Sequence, residues 1–313
     1  MTTQTPAYLE SLKTGLLEEK AADARSRMRH CTLCPRHCGV NRLEGETGFC
    51  RTAEQAWVSS FDPHFGEEAP LVGSGGSGTI FFTHCNLLCL FCQNFDISHG
   101  GKGEPVKDAT LAGMMLQLQE AGCHNINFVT PSHVVPQILS AVALAAAEGL
   151  RVPLVYNSGG YDRVETLKLL EGVVDIYMPD FKFWDPDIAE RACQARDYPK
   201  VARRALIEMH RQVGDLQIGS DGIAYRGVLL RHLVLPGGRA GTADIMEFVA
   251  EQVSANTYVN VMPQYRPCGR AGEIEGLEKK PTEAEFEVAL AATRKAGITR
   301  IDPPRRMFML WSP

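Results

Sequence analysis

Between Tyr8 and His30, the apolar positions Leu9, Leu12, Leu16 and Leu17 recur among charges with the spacing of one helical face. From Arg51 to Gly73 the pattern is irregular, broken by Pro63, Gly66 and Pro70, and the run Gly73-Ser74-Gly75-Gly76-Ser77-Gly78 reads as a loop or linker. Beyond it, β-rich runs alternate with helical stretches. Strands are expected over Thr79 to Phe82, Asn125 to Thr130, Val152 to Asn157, Val173 to Phe181, Val228 to Leu235 and Tyr258 to Met262. Helices are expected over Leu111 to Glu120, Val134 to Glu148, Val164 to Leu170, Lys200 to Val213 and Ala243 to Gln252. This alternation specifies a parallel sheet with helices packed outside it, and six strands predict a partial barrel. Leu216 to Ile218 and Ile223 to Tyr225 read as a hairpin inserted before the fifth main strand, with a last helix over Glu283 to Lys295 and a short strand over Thr299 to Asp302.

The expected fold class is therefore α/β, a partial (β/α)6 TIM-like barrel over 74–313, preceded over 1–73 by a helix and a cysteine-rich metal-binding module. Of the 313 residues, 44% are hydrophobic and 22% charged, which excludes a disordered chain as the whole reading. No apolar run has the length of a bilayer crossing. The first thirty residues are charged throughout, unlike a secretory signal. A cytoplasmic protein without a membrane partner is expected. A net charge of -5 argues against nucleic-acid binding by bulk electrostatics.

Ten cysteines in a reducing compartment point to metal ligation or catalysis before disulfides. Seven fall into two groups: Cys31, Cys34, Cys38 and Cys50, then Cys85, Cys89 and Cys92. The second group follows the first barrel strand directly, on the loop at the end where barrel active sites sit. Three thiolates can hold three corners of an iron–sulfur cube and leave one iron open for a ligand. A structural zinc knuckle with His84 or His99 as fourth ligand is the bland alternative.

The spacing Cys85-Asn86-Leu87-Leu88-Cys89-Leu90-Phe91-Cys92, with an aromatic before the last cysteine, resembles the signature of radical S-adenosylmethionine enzymes. Gly78-Thr79-Ile80-Phe81-Phe82, Asp175 through Lys182, Arg231-His232-Leu233-Val234-Leu235-Pro236-Gly237 and Met262-Pro263-Gln264-Tyr265 are similar to the pyruvate formate-lyase activating enzyme-like branch, uncharacterised members included. The resemblance covers about residues 75 to 270. It implies a [4Fe-4S] cluster on Cys85, Cys89 and Cys92 whose open iron is chelated by S-adenosyl-L-methionine, and reductive cleavage of that cofactor to a 5'-deoxyadenosyl radical. A glycine on a partner protein would be the hydrogen donor, with flavodoxin or ferredoxin as reducing partner. Two other readings remain: a radical enzyme acting on a small molecule or another peptide residue, and a non-catalytic iron–sulfur electron carrier.

Further residues follow from the same likeness. Period-two geometry sets Ile176, Met178, Asp180 and Lys182 on one face. The resemblance implies that Lys182 pairs with the cofactor carboxylate, that Asp180 contacts the cofactor or a monovalent cation, and that Arg231 is the arginine of the fifth strand. Where relatives carry Gly-Gly-Glu, this chain has Thr130-Pro131-Ser132-His133. Thr130, Ser132 and His133 are candidate acceptors for the cofactor ammonium, although a helix cap is the preferred role of Ser132. Asn157 and Ser158 are candidate ribose or cation contacts, and Gln264 and Tyr265 border the same region.

Cys31, Cys34, Cys38 and Cys50 offer four thiolates within twenty residues. A tetrahedral zinc would staple a segment too short for its own core, and a second iron–sulfur cluster would relay electrons; the spacing does not decide, and a structural site is preferred. Similar uncharacterised radical enzymes share the Cys-x-x-Cys-Pro-Arg stretch. Cys123 and Cys193 read as packed thiols. Cys268 lies on the loop after the sixth strand, and the basic region from Arg191 to Arg211 reads as a solvated face.

Overall fold

The computed structural model describes residues 5–303; residues 1–4 and 304–313, at the outer ends of the two expected segments, lie outside the described residues. The chain opens with α1 (Ala7–Lys13), α2 (Leu16–Ser26), β1 (Ala56–His64), α3 (Ala69–Val72), β2 (Ser77–Phe82), α4 (Phe95–Ser98) and β3 (Glu104–Val106). Then come α5 (Asp108–Glu120), β4 (Ile126–Val129), α6 (Val135–Ala147), β5 (Leu154–Ser158), α7 (Val164–Leu170), β6 (Ile176–Pro179), α8 (Pro186–Cys193) and α9 (Tyr198–Val213). It closes with β7 (Gln217–Ile218), β8 (Ala224–Leu233), α10 (Thr242–Phe248), β9 (Tyr258–Met262) and α11 (Glu283–Lys295).

These elements form an α/β fold around a mixed sheet. Strands β2, β4, β5, β6, β8 and β9 run parallel and neighbour one another in chain order. At one edge β1 pairs antiparallel with β2, and β3 with β1. Strand alternation divides the interior in two. Leu154, Tyr156, Tyr177, Val228, Leu230, Val259 and Val261 point into the large core shared with the helices. Val155, Ile176, Met178, Leu229 and Tyr258, on the opposite face of the same strands, form a second cluster with Leu71 of α3. Burial on both faces is the environment of parallel strands, which explains their continuous apolar runs.

Several expectations are revised. The single helix over Tyr8 to His30 is broken at Gly15, whose φ of 76° only glycine takes readily. Its first half is tied to loops before β5 and β6, with Tyr8 donating to the Val152 carbonyl at 3.0 Å and Ser11 to the Gly172 carbonyl at 2.7 Å, while α2 packs on α6. The stretch before the glycine run contains a nine-residue strand, β1. Pro63 hid it, yet that residue lies past the Ala56–Val58 segment paired with β3, where no third strand needs its missing N–H. The glycine run is packed: a Cβ on Gly75 would stand 2.0 Å from the Gly122 carbonyl oxygen, and Ser77 and Gly78 already belong to β2. Helix α8 was missed although Asp185 caps it, accepting from the Asp187 and Ile188 amides at 2.6 and 3.3 Å. The expected hairpin is the turn from β7 into β8 itself, not an insertion before it. The short strand at Thr299 to Asp302 is reduced to one bridge, Val259 to Ile301. Among the described residues, no helix is long and apolar enough to cross a membrane.

One buried carboxylate ties the first helix to the sheet. Asp175 accepts from the Ala7 amide at 2.8 Å and the Leu154 amide at 2.9 Å. Burial pushes it up from 3.8 to about 6. A folded-state pKa above the unfolded one makes this group's contribution whole below about pH 4 and lost as pH rises through about 6, a fall of roughly 2–3 kcal/mol. Asp175→Asn should flatten that decline in unfolding free energy measured across the same window; an unchanged slope would show that Asp175 is not the group responsible.

Candidate functional site

The loop leaving β2 turns sharply. His84 and Leu88 have φ values of 72° and 52°, a left-handed conformation uncommon outside glycine. The loop is held from below: Phe91 is buried edge-to-face against Phe183 and Tyr265, and the Leu90 amide donates to the Ala192 carbonyl at 2.9 Å. Cys85, Cys89 and Cys92 are close enough that the charge of Cys89 acts on the other two. Burial, and then the neighbouring Cys89, pushes the Cys85 thiol up to about 12 and raises Cys92 as well. Cys89 behaves differently because Cys193 lies against it, Sγ to Sγ 3.2 Å. The Cys193 thiol donates, which lowers Cys89, while burial keeps Cys193 protonated. No spacing rule links residues 104 positions apart, so the role of Cys193 was invisible in the sequence. Both ring nitrogens of His99 are engaged, by Ser98 and the Leu88 carbonyl, and His84 faces Thr52.

Beside Cys89 stands a knot of charge. Asp180 follows β6 and receives Lys182 Nζ at 2.5 Å and Arg231 Nε at 2.9 Å. Arg231 Nη2 also donates to the Asn157 carboxamide oxygen at 2.8 Å. Burial alone would raise Asp180, but Arg231 and Lys182 hold it below the ordinary carboxylate range. Lys182 is shifted upward by Asp180 and by Cys89 against the pull of burial. The side chains of Asp180, Lys182 and Arg231 keep 12%, 17% and 19% exposure, so the knot is largely but not wholly shut away from solvent. Behind Arg231 lie two carboxylates that the sequence reading passed over, Glu67, 4.0 Å from Nη1, and Glu68, which accepts from Asn260 at 2.8 Å.

Ser132 and Ser158 belong to a neighbouring group. Ser158 donates to Asp162 at 2.6 Å and Tyr156 to the same carboxylate at 2.9 Å, with Ser132 as a third hydroxyl partner. The expected capping role of Ser132 does not occur, because α6 begins after Val134 with no side-chain cap. Thr130 takes a φ of 63° at the end of β4, and its amide donates to the Asn157 carbonyl at 2.9 Å. His133 points elsewhere.

Cys31, Cys34, Cys38 and Cys50 line one small cavity together with Leu33, Val40, Arg42, Gly48 and His133. Gly48 is required there, since a Cβ would lie 2.6 Å from Cys38 Sγ. The Phe49 amide donates to that sulfur at 3.3 Å. Arg42, 1% exposed, donates from Nε to the Ala53 carbonyl at 3.0 Å and from Nη1 to the His133 carbonyl at 2.8 Å. Burial takes the His133 imidazole down to about 3, so it is neutral. As placed, no three His, Cys, Asp or Glu side chains among the described residues converge on a single-ion site.

One side chain joins the two cysteine groups. Arg36, between Cys34 and Cys38, donates from Nε to the Asn86 carbonyl at 2.9 Å and from Nη2 to the Cys193 and Leu87 carbonyls at 2.7 and 3.3 Å. Its Nη1 meets the Gln194 carbonyl, and the guanidinium lies 3.7 Å over the Phe49 ring. Tyr265 packs in the core and donates to the Leu277 carbonyl at 2.6 Å, while the backbone oxygen of Gln264 receives Gln93. Several of the basic residues on α8 and α9 are partnered, Arg211 with Glu208 and Glu171 and Arg203 over Trp184.

Fold and site define an α/β protein with two cysteine groups and a buried charge knot beyond the C-terminal ends of parallel strands. No family model matches the chain. It is 34% identical over 300 residues to uncharacterized protein MJ0674 of Methanocaldococcus jannaschii, covering 94% of this chain and 82% of that protein, and it belongs to that protein's family. Uncharacterized protein MJ0808 of the same organism is 26% identical over 206 residues, 59% of this chain and 57% of the relative.

The Arg36 fork is not reproducible by an ammonium. Arg36→Lys should destabilise the chain by about 2–4 kcal/mol, the scale of losing charged hydrogen bonds while their carbonyls stay half-buried. Amide exchange over residues 86–92 should quicken in parallel. Denaturant unfolding and exchange that both match the parent chain would exclude the clamp.

Proposed function

We propose that the chain is a radical S-adenosylmethionine enzyme of the pyruvate formate-lyase activating enzyme-like kind. Cys85, Cys89 and Cys92 would hold three irons of a [4Fe-4S] cluster, leaving the fourth for the cofactor's amino and carboxylate groups. The observation that carries this reading is the meeting of three closely spaced thiols with a partly exposed charge knot: Cys89 and Lys182 are close enough that each charge shifts the other's pKa. The donor set fits, because three soft thiolates suit iron–sulfur chemistry and leave a coordination place unfilled. When bound, the reduced cluster and cofactor supply a 5'-deoxyadenosyl radical that takes hydrogen from a substrate.

The protein's own part is positioning. Lys182 presents an ammonium to a carboxylate beside Cys89. Asp180 keeps Lys182 and Arg231 charged and in place. The Arg231 fork is occupied by Asp180 and Asn157, which makes it a strut for the knot in this arrangement rather than a free carboxylate clamp. Ser132 and Ser158 support the turns after β4 and β5 through Asp162. His133 is not part of this group.

The parallel order of β2, β4, β5, β6, β8 and β9, with apolar clusters on both faces, supports a (β/α)6 partial barrel. On this reading residues 1–73 serve it as a metal-binding module, in a reducing cytoplasm where flavodoxin or ferredoxin delivers electrons. A protein glycine is the proposed hydrogen donor.

Anaerobically reconstituted and reduced protein should release 5'-deoxyadenosine from S-adenosyl-L-methionine. Cys89→Ala should lower that release at least 100-fold, and Lys182→Met should weaken cofactor binding about 10-fold with the cluster still present, the scale of one charge-assisted contact. Undiminished release from Cys89→Ala would falsify the assignment.

A further inference from the structure

The loop after β4 sends His133 away from the charge knot and into the hollow between the N-terminal cysteines. Its Nε2 lies 3.0 Å from the Thr83 carbonyl oxygen. A carbonyl takes only a donor, so Nε2 carries the ring proton and Nδ1 keeps its lone pair. Nδ1 is buried and has no hydrogen-bond partner, and the residue itself is 1% exposed. This is the posture of metal-binding imidazoles, in which one nitrogen is fixed by donating to a backbone carbonyl and the other faces the metal.

Arg42 brings a positive charge to one wall of the hollow. Arg42 holds the His133 backbone through Nη1, while its buried Nη2 has no partner. An unpartnered guanidinium nitrogen beside four thiols suits thiolates that have lost their protons to a metal. The Phe49 amide on Cys38 and the bare backbone at Gly48 complete a snug sulfur-lined wall.

We propose that His133 Nδ1 is a ligand of a metal centre held together with three of Cys31, Cys34, Cys38 and Cys50, so that the N-terminal module and the main sheet bind one centre jointly. The occupant is a thiophilic metal, zinc or iron, since thiolates with an imidazole select these. Five donors border the hollow, and a four-coordinate ion or a cubane takes four, leaving one cysteine outside the coordination. The inference uses no residue of the proposed radical site and stands or falls separately from it.

The test uses the full chain with Cys85, Cys89 and Cys92 all changed to Ser, which leaves only the N-terminal centre. X-ray absorption at the metal edge distinguishes zinc from iron. For zinc, the fine structure should show an imidazole nitrogen among sulfurs; for reduced iron, pulsed electron paramagnetic resonance should show a directly bound nitrogen. His133→Asn, which keeps a polar group there but gives up the bond to the Thr83 carbonyl, should remove that nitrogen and lower metal affinity at least 10-fold. If the triple variant does not fold, the same spectra of the otherwise unchanged chain, with and without ¹⁵N-labelled histidine or His133→Asn, read the same atom. An all-sulfur shell that is identical in the parent and His133→Asn overturns the proposal, whichever metal is found.

Discussion

A carboxylate shut away from most solvent needs positive partners, and Asp180 has two. Arg231 arrives from β8 and Lys182 from the next turn of its own strand end, and together they outweigh the desolvation that would otherwise protonate it. Removing one partner from such a set strands the others and commonly costs about 3–5 kcal/mol. The register of β6 against β8 is therefore specified twice, by the Asp180 to Arg231 bridge and by the Phe181 amide on the Arg231 carbonyl at 2.8 Å. The loop after β2 is electrostatically tied to that fixed point, because Asp180 holds Lys182 where its charge acts on Cys89.

The N-terminal segment is built into this arrangement. Arg36 grips the backbone between Cys85 and Cys89 as well as the end of α8, where Cys193 presses on Cys89. Tyr8, Ser11 and the Ala7 amide anchor α1 to loops at the other end of the sheet, and β1 extends the sheet itself. The large hydrophobic core runs from Tyr8 to Ile298 without a gap at the glycine run. Metal binding at the first cysteine group would thus stiffen the loop that carries the second.

What could be seen in the sequence was local. The strand over Tyr258 to Met262 and the helices over Val164 to Leu170 and Glu283 to Lys295 match their expected limits, because apolar period and end signals agree there. The two cysteine groups stood out by spacing, and period two set Asp180 and Lys182 on one face, where they pair with each other while Arg231 reaches Asp180 from β8. What stayed hidden depends on distant partners. β1 looked irregular because its pairing excuses a proline that local rules forbid. The glycine run looked like a linker because the backbone it must fit under, Gly122 and Asn125, is over forty positions away. Cys193, Glu67 and Glu68 carry no spacing signature, Arg36 stood in a Cys-Pro-Arg stretch that gives no hint of its distant partners, and His133 stood in the Thr-Pro-Ser-His stretch after β4 while its ring lines the other cysteine group.

The most direct test is spectroscopic. Reduced, oxygen-free protein carrying only the cluster on Cys85, Cys89 and Cys92 should give a paramagnetic signal that changes shape on adding S-adenosyl-L-methionine, because an open iron acquires the cofactor's amino and carboxylate groups. A signal indifferent to the cofactor, or zinc alone at those three sulfurs, would contradict a radical generator at this site.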